Sequence, residues 1–289
     1  MAILIDQNSQ VILQGATGRQ GRYHLPKLLD YGVRVVGGVS PGKGGQNLLD
    51  VPVYDTVAEV TAVAQVDATM IMVPPAGALN AVVEAIDSRI PLIVVITEHV
   101  PLHDALVIRS LAEKAGPFVI GPNTVGITSP GKCKLSVSPA SIFSQGPVGV
   151  ISRSGTLTHE LASSLSYHGI GQSTCVCIGG DMSKTTNFID ILKLFRNDED
   201  TQIVVMIGEI GGADEEIAAR YLEESRYPKK VVAYIAGATA PTGKKMGHAG
   251  AIITGGLGTA KSKISHLKSA GVKVARDLDE LLEFVKDSV

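Results

Sequence analysis

The sequence predicts an α/β protein made of two successive halves, each a parallel sheet covered on both faces by helices. Three observations carry this. Short apolar runs recur at Val11–Leu13, Val33–Val39, Ala68–Val73, Leu92–Ile96 and Phe118–Ile120, as buried parallel strands require. Helical patterns fall between them, among them Ala78–Ser88 and Leu102–Ala115. The alternation then stops in a loop-rich, proline-containing stretch, Gly121–Pro147, and starts again beyond it. With 289 residues the chain is long enough for two domains of ordinary size.

The first run leads into Gln14-Gly-Ala-Thr-Gly-Arg-Gln-Gly21, and a helical pattern through Leu25, Leu28 and Leu29 ends at Gly32. The second half opens with a strand at Val148–Ser152 and a turn at Arg153–Thr156. Leu157, Leu161 and Leu165, spaced by four, mark the helix that follows, and Gly169 stops it. Further strands are expected at Thr174–Ile178, Ile203–Ile207, Val231–Ile235 and Val272–Ala275, with helices at Asn187–Phe195, Glu215–Glu224 and Leu278–Lys286.

Composition narrows the function. Hydrophobic residues are 45% and charged residues 19%, which suits a large core and argues against disorder. A net charge of −2, with no basic run and 4% aromatics, argues against nucleic-acid binding. No apolar run reaches 18 residues, so no membrane span is expected. An acid at Asp6 comes too early for a signal peptide, and Cys133, Cys175 and Cys177 read as reduced thiols, both pointing to a cytoplasmic protein.

Two stretches bear chemistry. Gly15, Gly18 and Gly21 form G-x-x-G-x-x-G directly after a strand and before a helix. Such a turn cradles phosphate, because glycines let it tighten while the helix start offers unpaired N–H groups. A dinucleotide reading needs an acid after the second strand. Here that strand runs instead into Ser40-Pro-Gly-Lys-Gly-Gly45, and Lys43 suits an additional phosphate on a ribose. The ligand is then coenzyme A or NADP. Pro74-Pro75 and Thr97-Glu98 also lie just past strand ends, where ligands bind in such sheets.

The other stretch is Gly237–Gly258, in which seven of 22 residues are glycine. No regular element tolerates that density, so it is a loop that comes close to something. His248 sits in it between Gly247 and Ala249, with Lys244 and Lys245 upstream, free to act as base, ligand or nucleophile. Glu209, in the glycine loop after Ile203–Ile207, can fix the histidine tautomer, and Arg153-Ser154-Gly155-Thr156 opens a helix that can hold an anion or simply be capped. All three follow parallel strands and should share one sheet edge.

The segments Val36-Gly-Gly-Val-Ser-Pro-Gly-Lys-Gly-Gly45, Ser152-Arg-Ser-Gly-Thr-Leu-Thr158, Ile207-Gly-Glu-Ile-Gly-Gly212 and Met246-Gly-His-Ala-Gly-Ala-Ile-Ile253 closely resemble the α subunit of succinyl-CoA synthetase (succinate–CoA ligase), nearly end to end. The resemblance implies a Rossmann-like CoA-binding domain over residues 1–128, followed by a flavodoxin-like parallel α/β ligase domain over 129–289 that carries a phosphohistidine. It implies catalytic residues His248 and Glu209. It places CoA at Gly15, Thr17, Gly18, Arg19, Gln20, Lys43, Ile96, Thr97 and Glu98, and phosphate and acid substrate at Ser154, Gly155, Thr156 and His159. It further implies a β subunit with an ATP-grasp domain that binds Mg-ATP or Mg-GTP. This chain has no G-x-x-x-x-G-K-[ST] loop of its own. Three departures bear on the acid: Thr124-Val125 stands where the family has Cys-Pro, His159 where it has Tyr, and Met182-Ser-Lys-Thr185 where it has Pro-Ile-Pro-Gly. A related malate- or citrate-type CoA ligase subunit and an NADP-linked oxidoreductase are the alternatives.

Overall fold

A computed structural model describes residues 2–241, 243–244, 246–248, 250–253 and 258–289. The first half runs β1 (Gln10–Gln14), α1 (Arg19–Asp30), β2 (Arg34–Val39), β3 (Asn47–Leu48), β4 (Val51–Tyr54), α2 (Val57–Thr61), β5 (Ala68–Ile71), α3 (Ala78–Asp87), β6 (Leu92–Val95), α4 (Leu102–Ala115) and β7 (Phe118–Ile120). Its sheet has the order β3-β4-β2-β1-β5-β6-β7, parallel except for the short β3–β4 pairing. Without β3 this is the 3-2-1-4-5-6 order of a Rossmann sheet, which reverses direction between β1 and β5.

The second half runs β8 (Gly126–Ser129), β9 (Cys133–Ser136), β10 (Gln145–Ser152), α5 (Gly155–Tyr167), β11 (Gln172–Cys177), α6 (Phe188–Arg196), β12 (Ile203–Glu209), α7 (Asp214–Glu224), β13 (Lys230–Ala236), α8 (Ala260–Ser269), β14 (Lys273–Ala275) and α9 (Leu278–Lys286). The order is β14-β13-β12-β10-β11-β8-β9. Read from β11, the parallel strands follow 2-1-3-4-5, the flavodoxin-like order, with the reversal beside β10.

One expectation needs correcting. The stretch read as loop, Gly121–Pro147, holds the hairpin β8–β9, and β8 adds antiparallel to the edge of β11. Each strand has only four residues, Gly126-Ile-Thr-Ser129 and Cys133-Lys-Leu-Ser136, and a tight turn joins them, so neither stands out as an apolar run. The boundary expected between 128 and 129 therefore falls inside a strand of the second sheet.

Local chemistry explains the helices. Asn187 caps α6 by accepting from the Ile189 and Asp190 N–H groups while Asp190 accepts from Asn187, and Phe188, Ile191, Leu192 and Phe195 bury one face. Thr56, Thr259 and Asp277 cap α2, α8 and α9. One apolar cluster runs from Leu13, Leu25, Leu28 and Met70 through Ile127 and Leu135 to Phe188 and Phe195, so the halves share core. Polar links reinforce it. Gly131 N donates to Tyr31 Oη at 3.0 Å, and Thr186 Oγ1 donates to Val119 O at 2.6 Å. Cys133, Cys175 and Cys177 are all buried and unpaired. No described helix is long and apolar enough to cross a membrane.

Candidate active site

The carboxyl ends of both sheets face one cavity of about 510 Å³. Gln20, His24, Ile96, Thr97 and Glu98 reach it from the first half, and Gly155, Thr156, His159 and His248 from the second. Each sheet meets the cavity where its strand order reverses, which is where open α/β sheets leave room for ligands.

On the first side, the turn after β1 is bent by Gly15, with φ +86°, and a Cβ there would stand 2.8 Å from Met72 O. Gly18 occupies the N-cap of α1 with no side chain to satisfy the first N–H groups, and Gly18, Arg19 and Gln20 are exposed. Uncapped, exposed amides beside solvated cations fit an anion such as a pyrophosphate. Thr17 N donates to Ser40 Oγ at 3.1 Å, tying this turn to the loop that presents Lys43 to solvent. That loop was read as lacking an acid. The structure brings one to it from beyond β4: Asp55 Oδ1 accepts from the Lys43 and Gly44 amides at 2.9 and 2.8 Å, so its carboxylate braces the loop backbone. Thr97 Oγ1 donates to Val73 O at 2.8 Å, which sets the Ile96–Glu98 turn against the wall.

On the second side, Ser154 caps α5, its hydroxyl accepting from Leu157 N at 3.3 Å. The N–H groups of Gly155 and Thr156 have no intrahelical acceptor, and both residues line the cavity. Ser154 itself does not line it. His248 Nδ1 donates to Glu209 Oε2 at 2.8 Å. A carboxylate only accepts, so in the neutral ring the proton sits on Nδ1 and Nε2 keeps its lone pair. The Glu209 bond, aided by the charges of Glu209 and Asp181, raises the His248 pKa above 6.5, while burial and Arg153 oppose the rise. A Cβ on Gly180 would lie 2.4 Å from Cγ of the His248 ring, so that backbone lies directly against the imidazole. Of the loop read as centred on His248, Thr242, Lys245, Ala249, Thr254, Gly255, Gly256 and Leu257 lie outside the described residues.

His159 lines the cavity with Nε2 2.6 Å from Ser138 Oγ, and burial lowers its pKa. The sequence reading missed His24, four residues after Gln20 and so on the same face of α1. Burial, followed by the charges of Lys134 and Lys27, lowers the His24 pKa to about 4 and keeps it neutral. It also missed Arg153, Glu215 and Lys263, which lie buried behind Glu209. Arg153 stood inside a motif already quoted, but nothing in the sequence announces its partners 56 and 62 residues away.

With this geometry in hand, comparison with known proteins is direct. The CoA binding domain family matches residues 6–99 and the CoA-ligase family residues 151–273. Fold and site together define the CoA-binding and CoA-ligase parts of an acid–thiol ligase. The chain is 50% identical over 287 residues to succinate–CoA ligase [ADP-forming] subunit alpha 2 of Archaeoglobus fulgidus, covering 99% of each. It is 52% identical over 272 residues to the corresponding alpha subunit of Methanothermobacter thermautotrophicus, covering 94% of this chain and 92% of that one. It belongs to the family of succinate–CoA ligase α subunits. A solved ATP citrate lyase from Methanothrix soehngenii, in complex with citrate and coenzyme A, matches with TM-score 0.90 at 25% identity, over 99% of this chain and 50% of that one.

Proposed function

We propose that this chain is the α subunit of a nucleoside diphosphate-forming ligase that joins CoA to succinate or a closely related acid, and that His248 relays the phosphoryl group. The observation that carries the reading is the His248 Nδ1–Glu209 Oε2 bond of 2.8 Å at a cavity that also meets the uncapped start of α1. With its Nδ1 proton held by Glu209, Nε2 attacks the terminal phosphorus of a nucleoside triphosphate, and the bond to the diphosphate breaks. A substrate carboxylate oxygen then attacks that phosphorus, the N–P bond breaks, and an acyl phosphate forms. Attack of a thiolate on the acyl carbon releases inorganic phosphate and leaves the thioester. The Gly155 and Thr156 amides stabilise phosphoryl oxygens without moving a proton.

In this reading the turn Gly15–Gln20, Lys43 and Ile96–Glu98 hold CoA, with Lys43 on its ribose phosphate. His159 borders the acid. The CoA-binding domain gives way to the ligase domain ahead of β8, rather than between residues 128 and 129. A β subunit with an ATP-grasp fold supplies Mg-ATP or Mg-GTP, and the complex works in the cytoplasm, in keeping with three free buried cysteines.

The test is to incubate the chain with its β partner, Mg²⁺ and nucleotide labelled in the terminal phosphate. The label should enter this chain, survive alkali and be lost in mild acid, as a phosphoramidate does. His248→Asn should abolish label and ligation together. An acid-stable label, or turnover by His248→Asn, overturns the reading.

A further inference from the structure

Behind Glu209 lies a buried set of charges that phosphoryl transfer through His248 does not by itself account for. The Arg153 side chain is 2% exposed. Its Nη1 donates to Glu215 Oε1 at 3.0 Å, to Gly211 O at 3.0 Å and to Glu209 O at 3.4 Å. Its Nη2 lies 3.3 Å from Glu209 Oε1, the carboxylate oxygen that His248 does not use. Arg153 also abuts the histidine loop, since a Cβ on Gly250 would stand 3.1 Å from Nη2. Glu215, in the first turn of α7 and fully buried, accepts from Glu209 N at 3.1 Å with the same oxygen that meets Arg153. Lys263 of α8 pairs with its second oxygen and lies 3.3 Å from Glu216 Oε2.

A surface helix start needs none of this. Burying ions is expensive, and removing one partner of a buried pair costs more than the pair contributes. Here Glu209 is held at its amide by Glu215, and its free carboxylate oxygen sits 3.3 Å from the Arg153 guanidinium in an ion pair without a hydrogen bond, before His248 asks anything of it. The long glutamate side chain thus reaches the imidazole with few torsions left to settle.

We propose that Arg153 and Glu215 are positioning residues for the phosphoryl acceptor: Glu215 fixes the Glu209 amide and the guanidinium, 3.3 Å from the free carboxylate oxygen, keeps the other oxygen on His248 Nδ1, leaving Nε2 as the nucleophile. This rests on His248 as the phosphorylated residue. The charges facing His248 are Glu209 and Arg153 from its own sheet and Asp181 from the β11–α6 loop. Glu98, His159 and neutral His24 share the cavity. Glu215, Lys263, Glu216 and the Lys184–Asp214 pair surround Arg153 from behind. Of the groups in direct reach of the imidazole, Glu209 and Asp181 favour its charged form and Arg153 opposes it.

The experiment measures the rate of His248 labelling against pH in the complex with the β partner, for Arg153→Lys and Arg153→Met, beside melting curves. Arg153→Lys keeps a point charge and loses the fork. It should label at least about tenfold more slowly, with its melting temperature little changed and the acid limb of the profile in place. Arg153→Met removes the opposing charge, so it should be slower still, with the acid limb displaced to higher pH. Labelling at the wild-type rate in either variant overturns the proposal. So does a loss in Arg153→Lys matched by a large fall in melting temperature, which would make the role merely structural. If Arg153→Met does not fold, Arg153→Lys decides alone. Absence of label in the wild-type complex, or its persistence in His248→Asn, would instead refute the phosphohistidine reading.

Discussion

The turns after β1 and β10 open helices of 12 and 13 residues onto the same cavity, yet they handle charge in opposite ways. The first has no capping side chain, and its cations, Arg19 and Lys43, stand in solvent. The second is capped by Ser154 and preceded by Arg153, whose charge is buried among carboxylates. Holding a phosphate reversibly needs only exposed amides and cations that water screens. Passing a phosphoryl group through an imidazole needs a proton and two charges fixed in a medium that screens them weakly. The difference matches the proposal that one side binds and the other reacts, and four measurements probe that division.

The largest effect is expected at Glu209. Glu209→Gln removes the charge that orients His248, and labelling should slow by about 10²–10⁴-fold, as when comparable preorganised partners are lost. The hydrogen bond His248 donates to Glu209 is the main cause of the raised His248 pKa, so the acid limb should also move to lower pH. Labelling at the wild-type rate with an unmoved limb would erase the contrast between the two turns.

Lys43→Ala comes next. It should weaken CoA about tenfold, the worth of a charged hydrogen bond of about 1.5 kcal/mol, and leave dephospho-CoA nearly untouched by calorimetry. Equal losses for both would take Lys43 off the ribose phosphate.

His159→Tyr should shift the ranking of dicarboxylic acids by a few-fold in kcat/KM, about 1 kcal/mol in a pocket contact, since His159 lines the cavity and bonds Ser138. An unchanged ranking would place the acid elsewhere on the wall.

The smallest test concerns stability. The His24 pKa is lowered to about 4, below its unfolded value near 6.5. Its contribution is therefore present above pH 6.5 and lost as pH falls towards 4, by about 3 kcal/mol at most. His248, with a raised pKa, has the reverse sign: its contribution is full below pH 6.5 and fades as pH rises through its folded value. His24→Gln should flatten the acid side of a melting-temperature profile by a few degrees. An identical profile would mean that His24 is not held neutral.

What could be read from the sequence divides along similar lines. Strands such as Leu92–Val95 announce themselves as short continuous apolar runs, and helices such as Leu278–Lys286 by a helical period in their apolar residues. The turn Gly15–Gly21 and the His248 loop were visible because glycine density is local too. The hairpin β8–β9 was missed because its strands are short and its pairing with β11 spans about fifty residues. Strand β4 was missed as well, with only four residues and Pro52 inside it. The same physics hides Arg153, Glu215 and Lys263. A buried ion pair is defined by a partner that folding brings from far along the chain, and a lone Arg or Lys looks like any solvated charge until then.

The close approach of Gly180 to the His248 ring bears on how such a ligase can be retooled for other acids. With 2.4 Å between a would-be Cβ and the imidazole, any side chain at position 180 would displace the His248 ring, so that position is a poor one to redesign. Val125 and Val137, which flank the hairpin, and His159 on α5 line the cavity that His248 also meets. A combinatorial library aimed at new substrates belongs there, where side chains can be exchanged while His248, the proposed phosphoryl acceptor, is left in place.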